Sequence, residues 1–63
     1  MENAQKHLEK AIEINPEFAD AHYELSLILK DKDEIEKSRE DLLKAIEIKP
    51  GFPQAHFHLA LLL

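Results

Sequence analysis

The chain has no cysteine and no tryptophan, and only one glycine among its 63 residues. Without thiols it can form neither disulfides nor thiolate metal sites, two common supports of very small domains. The single glycine, Gly51, cannot build a glycine-rich phosphate cradle. Hydroxyl nucleophile candidates are confined to Ser26, Ser38 and Tyr23. Basic residues are also scarce: eight against thirteen acidic ones leave a net charge of −5, which disfavours nucleic acid or an anionic membrane as partner. No apolar run approaches the roughly 18 residues of a membrane span. The opening Met1-Glu2-Asn3-Ala4-Gln5-Lys6 lacks the character of a secretory leader. The 44% of apolar residues beside 33% charged ones is too rich for intrinsic disorder. These absences point to a soluble, acidic module, cytoplasmic, with no cofactor and no catalytic residues.

What is present is a repeat. Lys10-Ala11-Ile12-Glu13-Ile14 returns as Lys44-Ala45-Ile46-Glu47-Ile48, an offset of 34 residues. At that offset Leu8 meets Leu42, Pro16 meets Pro50, and Phe18 meets Phe52. Ala21-His22 likewise meets Ala55-His56, and Leu25, Leu27 and Leu29 meet Leu59, Leu61 and Leu63. A period of this length marks a supersecondary unit that cannot bury its apolar face alone.

Within each unit the apolar spacing is helical. Ala4, Leu8, Ala11 and Ile12 make one face, echoed by Ile35, Ser38, Leu42, Ala45 and Ile46. Ala21, Leu25, Ile28 and Leu29 make a face of a second kind, echoed by Ala55, Leu59, Leu62 and Leu63. Pro16 and Pro50 stop the helices before them, since proline lacks the amide donor and restricts the preceding residue. The spacing predicts helices over 2–14, 19–31, 34–48 and 53–63 and no strand. The charged run from Lys30 to Glu34 reads as a turn, with Asp33 and Glu36 spaced as a capping box.

These residues resemble the tetratricopeptide repeat, whose pattern is Trp-x2-Leu-Gly-x2-Tyr, Ala-x3-Phe, then Pro. The first part reads His22-x2-Leu25-Ser26-x2-Leu29 and His56-x2-Leu59-Ala60-x2-Leu63. The second reads Ala4-x3-Leu8 and Ser38-x3-Leu42, closed by Pro16 and Pro50. Histidine replaces the tryptophan and leucine the tyrosine in both copies. Asp33 stands where a glycine usually ends the first helix, at a position that often needs left-handed backbone. The resemblance implies an all-α fold: four helices forming antiparallel helix-turn-helix repeats, stacked as a short right-handed superhelical solenoid. It divides the chain into a second helix of one repeat (1–16), a complete repeat (17–50) and the first helix of another (51–63).

Four histidines, His7, His22, His56 and His58, invite a metal reading. His56 and His58 lie two apart, about 200° around a helix, and cannot share an ion. His22 and His56 occupy equivalent sites in helices stacked about 10 Å apart, but zinc requires three or four ligands. We therefore expect no metal site. Both should act as half-buried packing groups with a polar tip, and a mild pH effect between them is more plausible than a metal.

In arrays of this kind the first helix of each pair lines a concave groove that holds a peptide or partner segment. The resemblance carries that role to Asp20, Tyr23, Leu27 and Lys30, then Gln54, Phe57 and Leu61. Family members that grip acidic C-termini use lysine and asparagine at such sites. Tyr23, Leu27, Phe57 and Leu61 offer an apolar stripe instead, so the expected partner is a protein or peptide docking by apolar contact. The alternative is a structural, self-assembling unit: a homo-oligomer in which Leu59, Leu62 and Leu63 are covered by helices of another chain.

Overall fold

A computed structural model describes residues 2–62, with side chains described from Ala4 onward. Its helices stop two residues before Pro16 and Pro50, as the backbone restriction ahead of proline requires. They are α1 (Glu2–Ile14), α2 (Ala19–Asp31), α3 (Ile35–Ile48) and α4 (Pro53–Leu62), with no strand among the described residues. The all-α reading therefore holds, and the expected helices match except that α3 starts one residue later; Leu63 lies outside the described residues.

The links are short and built by their own chemistry. Between α1 and α2 the Phe18 amide donates to the Asn15 carbonyl at 3.0 Å. The Asn15 side chain accepts from the Glu17 amide at 3.3 Å, and Pro16 sits second in this turn, where its fixed φ is favoured. Between α2 and α3 the chain closes α2 through Asp33, whose φ is 64°. Its amide donates to the Lys30 carbonyl at 2.9 Å, and the Glu34 amide to the Leu29 carbonyl at 2.8 Å. These two bonds and the left-handed residue form a Schellman stop. The capping box expected from Asp33 and Glu36 does not form, because Asp33 is used to end α2. Glu34 precedes α3 and makes no side-chain cap.

Each helix packs on its neighbour in sequence, and α2 with α3 makes the largest contact. Small residues permit that closeness. Ser26 and Ser38 are fully buried, and Ser38 Oγ donates to the Ser26 carbonyl at 2.7 Å. Ser26 Oγ donates back along its own helix to the Tyr23 carbonyl. Leu25 and Leu29 of α2 and Leu42 and Ala45 of α3 are buried as well, Leu42 with only 1% exposure. Burying one leucine this fully contributes about 1.5–3 kcal/mol. A contiguous cluster of Ala19, Leu42, Ala45, Phe52 and Ala55 then joins α2, α3 and α4. On the surface, Lys10–Glu13 (3.3 Å) and Lys44–Glu47 (3.5 Å) repeat the same ion pair one period apart. Lys37 pairs with Glu34 at 3.4 Å. Such exposed pairs contribute a few tenths of a kcal/mol at most, about 0.3–0.5.

Candidate partner-binding groove

The two first helices of the repeat pattern, α2 and α4, present different degrees of cover on the same register. Tyr23 of α2 is half-buried against the cluster. Its ring lies 5.0 Å from that of Phe52 and 5.6 Å, edge-on, from that of His58. His58 in turn meets Phe57 edge-on at 5.5 Å. The tilted and edge-on geometries are those favoured by the ring quadrupoles. A run of four rings, Phe52–Tyr23–His58–Phe57, therefore links α2 to α4, and Lys49 Nζ stands 4.8 Å over the Phe52 ring.

Beyond that run the surface opens. Phe57 is 61% exposed and Leu61, one turn later, 57%. Leu27 and Lys30 are half-buried, while Asp20 and Gln54 are exposed. The seven residues expected in the groove thus range from half-buried on α2 to open on α4. The difference has a simple cause: Tyr23 is covered by Phe52 and His58 of the following unit, and Phe57 has no such cover among the described residues. Phe52 and His58 were absent from the sequence reading of the site. Their signal was the position of each next to a residue already chosen, Phe52 near Gln54 and His58 beside Phe57, with a period that brings α4 onto α2.

Leu59 and Leu62 differ from expectation. Rather than awaiting cover from another chain, both are already half-buried and pack against the core cluster. The exposed apolar residues of α4 are Phe57, Ala60 and Leu61. Leu63, the third residue of that expected face, lies outside the described residues.

Of the histidines at the tryptophan sites, His22 acts as a packing group with a polar tip, whereas His56 is exposed and keeps only the polar contact. His22 is buried, and its Nε2 lies 3.0 Å from the Pro16 carbonyl oxygen. His56 repeats this with Pro50, also at 3.0 Å. Each ring ties the start of a helix to the proline that ended the one before. His22 Nδ1 faces Asp41 Oδ1 at 3.3 Å, so a carboxyl group and not His56 lies against this nitrogen. Burial pushes the Asp41 carboxyl above its ordinary value, with Glu40 and Glu9 adding to the rise and His22 opposing it. Among the described residues no group of three or more histidine, cysteine or acidic side chains is placed to hold a metal ion. No described helix is long and apolar enough to cross a membrane.

A family model for the tetratricopeptide repeat matches residues 1–18 and again residues 19–52. No curated protein and no solved structure matches the chain significantly.

Proposed function

The chain belongs to the tetratricopeptide repeat family, and from that premise we propose that it binds an apolar peptide or helix along the stripe of Tyr23, Leu27, Phe57 and Leu61. Repeats of this family are non-catalytic and mediate protein–protein contact, and stacked helical units supply extended concave surfaces for it. We divide the chain accordingly into a second helix (1–16), a complete repeat (17–50) and a first helix (51–63). The observation that carries the reading is α4. Pro53–Leu62 contains no charged residue, yet Phe57 and Leu61 stand open one turn apart. An uncharged helix this rich in apolar residues is suited to burial, and its open Phe57–Leu61 side is suited to an apolar anchor. Asp20, Lys30 and Gln54 supply polar contacts at the edges of the stripe.

Selection of a displayed random-peptide library on the chain tests this. Enriched peptides should carry leucine, phenylalanine or methionine anchors at helical spacing, and should be lost when the target is Phe57→Ser. No enrichment, or enrichment indifferent to Phe57→Ser, overturns the groove.

A second reading, self-assembly, has its own support. Ser26 of α2 meets Ser38 of α3 in the buried centre, and Leu25, Leu42 and Ala45 are buried on the same two helices. Their counterparts one period away are Leu59 and Ala60 on α4 and Ala4, Leu8 and Ala11 on α1, all exposed or half-buried. The α1 of one copy therefore carries the residue types that would cover the α4 of another, as α3 covers α2.

A further inference from the structure

Both ring nitrogens of His22 face oxygen atoms: Nε2 the Pro16 carbonyl at 3.0 Å and Nδ1 Asp41 Oδ1 at 3.3 Å. A carbonyl only accepts, so Nε2 carries a hydrogen. The second contact needs a hydrogen of its own, on Nδ1 or on Oδ1, because a bare ring lone pair and a bare carboxylate repel. The His22 side chain is 9% exposed, so its ring has little access to water, while Asp41 borders a surface cleft. We propose that His22 and Asp41 hold one shared proton in the folded chain, making closure of α3 onto α2 a proton-uptake step at neutral and alkaline pH.

The charges around the pair favour keeping that proton. Glu9 reaches it from α1 and Glu40 from its own helix α3. Gln5, Glu34 and Lys37 line the same cleft over Leu25 and Leu29, and Lys37 is already engaged by Glu34. The α1–α2 turn contributes only the Pro16 carbonyl. Negative charge thus prevails around Asp41, in line with its raised carboxyl. The repeat-equivalent ring of His56 keeps the proline carbonyl contact without a carboxylate at its other nitrogen among the described residues, so the proton belongs to the His22 site alone.

The balance fixes the sign. In the unfolded chain, histidine titrates near 6.5 and aspartate near 3.9. Above about pH 6.5 the separated side chains are neutral imidazole and carboxylate, and folding adds one proton from solvent. The folded state then binds more protons than the unfolded one, so stability falls as pH rises. One proton of difference changes the folding constant about tenfold per pH unit. Between about pH 4 and 6.5 the unfolded imidazole already carries that proton and the dependence vanishes.

The test compares urea unfolding of the wild-type chain and Asp41→Asn from pH 5 to 8. The asparagine amide donates to a neutral imidazole and completes the same bonds with no proton taken up. The remaining histidines are common to both chains and cancel. The wild-type folding constant should fall about tenfold or more relative to Asp41→Asn between pH 6.5 and 8. Between pH 5 and 6 the wild type should be nearly flat, while the variant, which holds the folded ring neutral, weakens as the pH falls. Parallel curves over the whole range overturn the proposal. Nitrogen NMR of the His22 ring in the wild-type chain provides a readout that does not depend on the variant's folding. A hydrogen-bonded Nδ1 persisting above pH 7 is expected, whereas a bare, unbonded Nδ1 across the range overturns the shared proton.

Discussion

Asp33 and Gly51 stand at each other's natural places. The left-handed residue that closes α2 is Asp33, with φ of 64°, while the chain's one glycine has no positive φ and open space where a Cβ would lie. Left-handed backbone costs an ordinary L-residue about 1–2 kcal/mol, less for aspartate. Glycine removes that cost but loses about 0.4–1 kcal/mol through greater freedom when unfolded. Asp33→Gly should therefore stabilise by up to about 1 kcal/mol. Gly51→Ala should gain about 0.4–1 kcal/mol from the unfolded state alone. Paired thermal melts of the two variants check both, and a fall in midpoint for Asp33→Gly would mean that the aspartate side chain supports the turn. This position was legible in the sequence because the repeat pattern expects glycine there. The role of Asp41 was not, since its partner His22 lies nineteen residues away and only the packing of α2 on α3 brings the two together.

Among the helices, the α2–α3 contact depends on the small side chains of Ser26 and Ser38. Both are fully buried, and the Ser38 hydroxyl bonds the Ser26 carbonyl, so neither has room to grow. Ser38→Leu should force the helices apart and destabilise by about 1–3 kcal/mol or more, read as a lowered urea midpoint. An unchanged midpoint would mean that the helices are not held this closely. The ends of α1 and α3 could be read in advance because Pro16 and Pro50 follow them, whereas between α2 and α3 Asp33 served the end of α2 instead of the start of α3. On α4 the helical spacing and the repeat register already separate Leu59 and Leu62 from Phe57 and Leu61. What the sequence does not show is the cover of the first pair, because only the folded packing of α4 on the core cluster half-buries it within one chain.

For the whole molecule, the exposed or half-buried echoes of the α2–α3 interface on α1 and α4 predict association between copies. Sedimentation across a hundredfold range of concentration should show the chain leaving the monomer toward millimolar concentration. Contacts of α1 with α4 made reciprocally by two copies close as a dimer, the expected state, whereas a single head-to-tail contact leaves open fibres. A monomer at every concentration would remove self-assembly and leave the groove reading intact. The groove itself is tested most directly by titrating a library-selected peptide into the wild-type chain and into Leu27→Asn/Leu61→Asn, with helicity and melting followed on both. If the stripe serves binding, the double variant keeps its helicity and loses at least about tenfold in affinity, about 1.4 kcal/mol. If it unfolds, or binds the peptide as tightly as the wild type, the stripe is part of the core or irrelevant to the partner, and the central claim is contradicted.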